Sequence, residues 1–487
     1  MKIHNEIRYF PLLAATVMVT VAHAQQPPDV VVSDGSGNTA MGTSAMANLA
    51  AQAAYENTAA GQDAMVSTTT GNSNTAFGVR ALRDNSTGCA NSAFGREALS
   101  ENITGCNNTA LGISAMSHST YGIQNTAAGT GASFWNSTGN YNTSIGANAL
   151  FYSTTGSENT AAGYEALIGN QTGQYNVAAG AHALLANTTG SYNAALGYQA
   201  LYSSTVTSGN TATGAFALHL DTSGASNTAS GYQSLYTNTV GNNNTALGNT
   251  ALYSNTNGSS NTATGNGAMY ANSTGYHNAA FGADSLTANT TGNTNTAVGL
   301  EALAANTSGS NNIAVGGNAG SSLTSGSNNI DIGNKGVAGE GGVIRIGTSG
   351  SQTSAFIAGV GTAHVTGSAV YINSSGQLGV LASSERYKTA IAPMGETTDK
   401  LQQLRPVTFQ LKTDPHGAVQ YGLIAEEVAS VYPELVIRDD SGQIQGVRYE
   451  ELAPMLLNEE KRQQSRIDAQ EVELRDLRAA VAALQRR

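Results

Sequence analysis

The stretch "NTAFGVRALRDNSTGCA", residues 74–90, is one copy of a unit that fills most of this 487-residue chain. Its opening Asn recurs every 17 residues from Asn57 to Asn329, without a gap. The consensus is N-T-A-x-G-x-x-A-L-x-x-x-T-x-G-x-x. The first-position Asn and the fifth-position Gly hold in all seventeen units. Position four is mostly apolar (Phe77, Phe94, Leu111, Ile145, Leu247, Val298). Position nine is Leu or Met in fourteen units, among them Leu82, Met116 and Leu201. Asn38 opens an out-of-register forerunner.

A short fixed period means one structural unit per repeat, stacked on its neighbours. Seventeen residues are too few for a helix pair, and Asn, Thr and Gly are poor helix formers. The unit fits one coil of a parallel β-solenoid (β-roll), with two short strands and two turns. The apolar side chains at positions four and nine are expected to point inward. The glycines at positions five and fifteen are expected to make the turns. Stacking at about 4.8 Å per coil places each Asn on the next in a hydrogen-bonded ladder, and seventeen coils give a rod of roughly 80 Å. Disorder needs no fixed phase, and leucine-rich repeats need several Leu per unit. The glycines form no phosphate-binding loop, and the calcium-binding nonapeptide is absent. The eight His are scattered without ligand spacing, so neither a metal nor a cofactor is expected.

The two cysteines, Cys89 and Cys106, stand 17 residues apart, at the same position of adjacent coils. Residues one coil apart have Cα atoms about 5 Å from each other, inside the disulfide window. A coil-to-coil disulfide is expected, with two stacked free thiols as the alternative.

Charge divides the chain. Residues 57–345 carry 16 charged side chains, whereas residues 383–487 carry 31. Net charge is −11, so nucleic acid is not an expected partner. At the N-terminus, Lys2 and Arg8 precede the apolar run Phe10–Val21, and Ala22-His23-Ala24 fits a small-x-small cleavage site. Residues 1–24 therefore read as a secretory signal peptide. Residues 25–56 follow as an N-terminal segment, then the shaft at 57–345 and a β-rich neck at 346–382.

Beyond the neck stands "LASSERYKTAI", residues 381–391, followed by "LRPVTFQL", "QYGLIAEEV", "YPELV" and "VRYEELAPMLLNE". Residues 383–487 resemble the C-terminal intramolecular chaperone and self-cleaving peptidase domain of phage tailspikes and endosialidases. That family opens with Ser-Asp-x-Arg-x-Lys; here Ser383-Ser384-Glu385-Arg386-Tyr387-Lys388 stands, with Ser384 in place of the commoner Asp. Gly422-Leu423-Ile424-Ala425-Glu426-Glu427-Val428 matches a second family segment. The resemblance implies a small α+β domain that trimerises, folds the shaft upstream, and cuts itself off before the Ser. Ser383 would be the nucleophile, Lys388 its base, and Ala382–Ser383 the severed bond. The repeats resemble the heads of trimeric autotransporter adhesins, parallel β-rolls with three chains side by side, although their units are shorter.

The implied chemistry is demanding. A free Lys has a pKa near 10.4, so only about one in two thousand is neutral at pH 7. Bringing it to about 7.5 takes roughly 4 kcal/mol of desolvation or like-charge repulsion, and Arg386 could supply the latter. On an ideal helix a five-residue separation puts two side chains about 140° apart, so the pair needs a turn or loop. Read without the resemblance, Ser383 and Ser384 would cap a helix and Lys388 would be a solvated charge.

The tail at 455–487 carries heptads. Ile467, Leu474 and Val481 fill one seam position; Gln470, Leu477 and Leu484 fill the other. A three-stranded coiled coil is expected, with a helix packed on its own domain as the alternative. The expected protein is an exported bacterial surface fibre, a homotrimer whose C-terminal domain releases itself by Ser–Lys autoproteolysis. A surface glycan or a protein is the class of ligand its shaft would meet. A prophage tail fibre and a structural protein with a non-cleaving chaperone domain are the alternatives.

Overall fold

The structure is a computed structural model describing residues 32–49, 53–357, 369–373, 375–380, 382–412, 414–439 and 441–486. The signal-peptide reading at 1–24 lies outside the described residues, as does the middle of the neck, 358–368. The chain divides into two compact units, Met1–Ala355 and Phe356–Arg487.

The first unit is a β-solenoid. Its three-residue strands pair in parallel, each with the strand one coil on, as in Thr75↔Ser92, Ala76↔Ala93 and Phe77↔Phe94. The sheet has 20 strands. It takes in Thr39–Met41, which pairs with Thr58–Ala60, and the edge pair Val32–Ser33, which is antiparallel to it. It ends at Ile344–Ile346. The forerunner coil at Asn38 is thus stacked on the regular ones.

Each coil holds one strand, not the expected two. The remaining residues form turns, with left-handed backbone at positions seven, nine and seventeen: Arg80 (φ 60°), Leu82 (φ 49°) and Ala90 (φ 53°). Left-handed L-residues cost roughly 1–2 kcal/mol each. The arrangement is tolerated because each of their N–H groups is bonded to an adjacent coil. Arg80 N donates to Gln62 O at 2.8 Å, Leu82 N to Ala98 O at 2.9 Å, and Ala90 N to Asn72 O at 2.9 Å.

One three-residue strand also corrects the inward set. Side chains alternate across a strand, and the middle residue, position three, is the buried one. Position four therefore points outward: Phe77, Leu111, Ile145 and Phe281 are exposed. The core consists of Ala at positions three and eight and Leu or Met at nine, as Ala76, Ala81 and Leu82 illustrate, all fully buried. In one coil Ser133 takes the place of that Leu, and the next coil has Ser144 at position three. Both are buried, and their hydroxyls bond each other at 2.8 Å.

The Asn ladder forms as the period implies. Asn57 Oδ1 accepts from the Asn74 backbone N at 3.0 Å and from its Nδ2 at 3.1 Å, while the same Nδ2 donates to Gly88 O at 2.8 Å. The two glycines of the unit act differently. Gly78, at position five, has φ +138°, and a Cβ there would stand 2.5 Å from Gly95 O. Gly88, at position fifteen, turns without a left-handed φ; a Cβ there would collide with Asn85 Oδ1 in the core.

A second buried amide row, not read from the consensus, runs through position twelve. Asn102 Nδ2 donates to Asn85 Oδ1 at 2.7 Å, and Asn255 Nδ2 to Asn238 Oδ1 at 2.8 Å. Asp221 replaces Asn in this row, fully buried, and accepts from Asn238 Nδ2 at 2.8 Å. Burial pushes its carboxyl up to about 7. In the last coil Asp331 replaces the position-three Ala, and desolvation raises it to about 6. Beside it, Arg345 pairs with Glu340 at 2.6 Å and holds that carboxyl below its ordinary range.

In the second unit, the neck's described part contains one short hairpin, Tyr371–Ile372 with Leu378–Gly379. A small α+β domain follows, built from two antiparallel pairs, Val407–Phe409 with Gln420–Gly422 and Val436–Arg438 with Ile444–Val447. Helix α1 (Ala425–Val431) and helix α2 (Tyr449–Gln485) pack with them around Leu401, Val428, Tyr432, Leu435, Val436, Val447 and Met455. Helix α2 begins six residues before the expected 455. Pro454 sits early in it, near the N-terminal turn whose N–H groups lack helical partners. Among the described residues no helix is long and apolar enough to cross a membrane.

Candidate functional site

Ser383 and Lys388 are brought together. Lys388 Nζ donates to Ser383 Oγ at 3.3 Å. The chain between them wraps one 3₁₀ turn, Glu385–Tyr387, with extended backbone at Ser384 (ψ 142°) and at Lys388 (ψ 144°). That turn supplies the fold-back which an α-helix would deny. Ser384 stands at the N-cap of the turn but makes no side-chain cap bond, so capping does not account for the serines. Arg386 lies over the Tyr387 ring, 4.7 Å from its centroid.

Both side chains of the pair are exposed in the single chain. They line an open cleft of about 580 Å³ whose other walls come from Met394, Leu435, Met455 and the acidic Glu434, Glu450 and Glu451. Ala382 lines it as well, so both residues of the expected scissile bond face one space. The three glutamates went unnoticed in the sequence, because they arrive from the 3₁₀ turn Pro433–Leu435 and the first turn of α2. Glu451 is tied to Arg448 at 3.3 Å.

The cleft's frame is held by polar ties. Tyr449 Oη accepts from Leu423 N at 2.7 Å, pinning the Gly422–Val428 segment to the start of α2. Arg405 pairs with Glu427 at 2.6 Å, which holds that carboxyl below its usual range and fastens α1 to the preceding segment. Asn458 Nδ2 donates to Gly395 O at 3.0 Å and to Thr398 Oγ1 at 2.7 Å, anchoring α2 on the 3₁₀ helix Gly395–Gln403. Farther along α2 the heptad residues Ile467, Leu474, Leu477, Val481 and Leu484 are all exposed.

In the solenoid, Cys89 and Cys106 have Cα atoms 4.6 Å apart and their sulfurs within bonding distance, and neither cysteine is free. No cluster of three or more His, Cys, Asp or Glu that could hold a metal occurs among the described residues.

A parallel β-solenoid is thus followed in the chain by a separate small α+β unit that opens on a paired Ser and Lys. Residues 383–437 match the family described as chaperone of endosialidase, so this module is of the tailspike and endosialidase type. The match takes in Ser383, Lys388 and the Gly422–Val428 segment, and ends before α2. No curated protein matches the chain. Solenoid and module together fit a phage tail fibre or a surface protein.

Proposed function

We propose that this is an exported surface fibre whose C-terminal domain assembles three chains and then severs itself between Ala382 and Ser383. The carrying observation is the 3.3 Å contact from Lys388 Nζ to Ser383 Oγ. Unprotonated Lys388 takes the Oγ proton as Oγ adds to the Ala382 carbonyl carbon. Collapse of the adduct breaks the Ala382–Ser383 C–N bond, and the leaving nitrogen recovers the proton. Water then hydrolyses the ester on Oγ, leaving an Ala382 carboxylate and a free Ser383 amine. The net change is the addition of one water. A single turnover tolerates a slow step, so partial activation of the lysine suffices.

Two surfaces support assembly into trimers. One is the exposed heptad seam of α2. The other is the outer face of the solenoid sheet. From Thr58–Ala60 to Ile344–Ile346 its outward positions carry no charged residue, and position four presents Phe77, Phe94, Leu247, Phe281, Val298 and Ile332 among smaller residues such as Ala162, Thr213 and Ser230. An uncharged face of recurring apolar and threonine side chains suits a partner with the same repeat. Three shafts of this chain would meet there.

The sulfurs of Cys89 and Cys106 lie within bonding distance, and a disulfide there would support export over a virion fibre, because disulfides persist in oxidising compartments and phage fibres assemble in the cytoplasm. Trapping tests the chemistry. Hydroxylamine should speed cleavage of assembled protein and leave a hydroxamate on Ala382. Trimers that remain full-length with and without hydroxylamine would refute the peptidase reading.

A further inference from the structure

The position-twelve amide row is continuous from Asp221 to Asn306, each Nδ2 donating to the side-chain oxygen one coil back, as Asn289 does to Asn272 at 2.8 Å. Nearer the N-terminus it is interrupted at Ser119 and Ser153. At each interruption two polar atoms in adjacent coils have no protein partner: Asn102 Oδ1 with Ser119 Oγ, and Asn136 Oδ1 with Ser153 Oγ. All four side chains are buried in the solenoid interior. The Asn beyond each serine also loses a bond. The Nδ2 groups of Asn136 and Asn170 keep only the intracoil bonds to Gly139 O (2.9 Å) and Gly173 O (3.1 Å).

We infer that each interruption is a built site for one buried water molecule, bonded to Asn102 Oδ1 and Ser119 Oγ at the first and to Asn136 Oδ1 and Ser153 Oγ at the second. Size and chemistry agree. Ser is two heavy atoms smaller than Asn, comparable to the roughly 30 Å³ that a water takes up in the liquid. A buried water needs two to four polar partners, and each site offers two orphaned oxygens plus the amide of the next Asn. A buried polar atom left without a partner bears its full desolvation cost, and a dry site would carry that cost twice over.

A third serine in the row supplies an internal comparison. At Ser204 the same unit departs from consensus at position fifteen as well, where Thr207 replaces Gly. The Thr207 hydroxyl bonds Ser204 Oγ and accepts from Asn210 Nδ2 at 3.1 Å. Ser204 is thereby satisfied, and only Asn187 Oδ1 lacks a protein donor there. Thr207 provides from the chain the hydroxyl that water provides at Ser119 and Ser153, where position fifteen is Gly122 or Gly156.

A high-resolution crystal structure of the full chain, in whatever processed form it purifies, tests this. An ordered water within hydrogen-bond distance of both oxygens is expected at each of the two sites, and none between Asn255 and Asn272. In Ser119→Asn the water should be replaced by a carboxamide bonded to Asn102 Oδ1, with a higher melting temperature than wild type. Dry sites, or side chains rearranged so that Asn102 Oδ1 and Ser119 Oγ find protein partners, would overturn the inference. So would a Ser119→Asn protein that melts lower than wild type.

Discussion

Lys388 Nζ lies 3.3 Å from Ser383 Oγ, at the opposite end of a single 3₁₀ turn, and both side chains face the cleft that Ala382 also lines. The contact joins the two residues that the nucleophile–base reading of this segment requires. Both are exposed in one chain, where water competes for the lysine's charge. In the proposed account the cleft around the pair is completed only when three chains assemble. Cleavage should therefore depend on assembly. Replacing the seam residues Leu474 and Leu477 by Asp should give a chain that neither sediments as a trimer nor cleaves. A dispersed chain that still cuts itself would contradict this dependence.

Asp221 makes the shaft's stability depend on pH in a definite direction. Its carboxyl is raised from 3.8 to about 7 in the fold by burial. Below about pH 4 the acid is neutral folded or unfolded, and no penalty arises. As pH rises the unfolded chain ionises first, so stability falls between about pH 4 and pH 7 and then levels off. Asp221→Asn restores the consensus amide and removes this slope. Melting curves should show the variant equal to wild type near pH 2 and more stable at pH 8. Equal melting at both pH values would show that the carboxylate is accommodated without cost.

How much of this was legible in the sequence depends on how strictly each residue recurs. Asn at position one never varies, and its ladder follows from register alone. Position twelve carries Asn in most units but Thr68, Ser119, Ser153, Ser204, Asp221, Leu323 and Glu340 in others, and that variation hides the second row. Phe77 and its equivalents face outward because the strand is three residues long with position three buried, and the left-handed residues Arg80 and Leu82 leave no second strand; neither is visible in the consensus. The Ser383–Lys388 pair was legible only through the resemblance, since a spacing of five brings two side chains together only if the intervening turn is tight. Nothing in the spacing announced Glu434 and Glu450, which reach the cleft from distant elements.

If the protein is exported as proposed, the coil-to-coil pair of Cys89 and Cys106 should be oxidised. Labelling of denatured, unreduced protein with a thiol reagent should find no free cysteine, and Cys106→Ser should expose one. Stoichiometric labelling of wild type would show that the sulfurs lie close but unbonded.

The outward face of the solenoid sheet should tolerate polar changes within a chain but not between chains. Leu247→Lys with Val298→Lys leaves the buried Ala246 and Ala297 untouched, so circular dichroism should remain that of wild type. Shafts freed of residues 383–487 after folding should then separate in sedimentation, whereas wild-type shafts stay together. Charged variants that remain trimeric would move the contact to another face.

The domain should be needed to start folding but not to keep the fold. A first coil has no neighbour to stack on, and fixing each residue costs about 1–2 kcal/mol of backbone entropy. Chains made without residues 383–487 should aggregate or stay unfolded, while the shaft left after cleavage should remain ordered by circular dichroism. A truncated chain that folds readily into a soluble monomer would remove the chaperone role.

The most direct measurement is the intact mass of purified assembled protein, taken with the sequence of its new N-terminus. Wild type should yield a fragment beginning at Ser383 and running to Arg487, 105 residues long. Ser383→Ala and Lys388→Met should each stay full-length while sedimenting as trimers. Wild-type trimers that remain uncut over days at neutral pH, or a Lys388→Met protein that cuts as fast as wild type, would contradict the account.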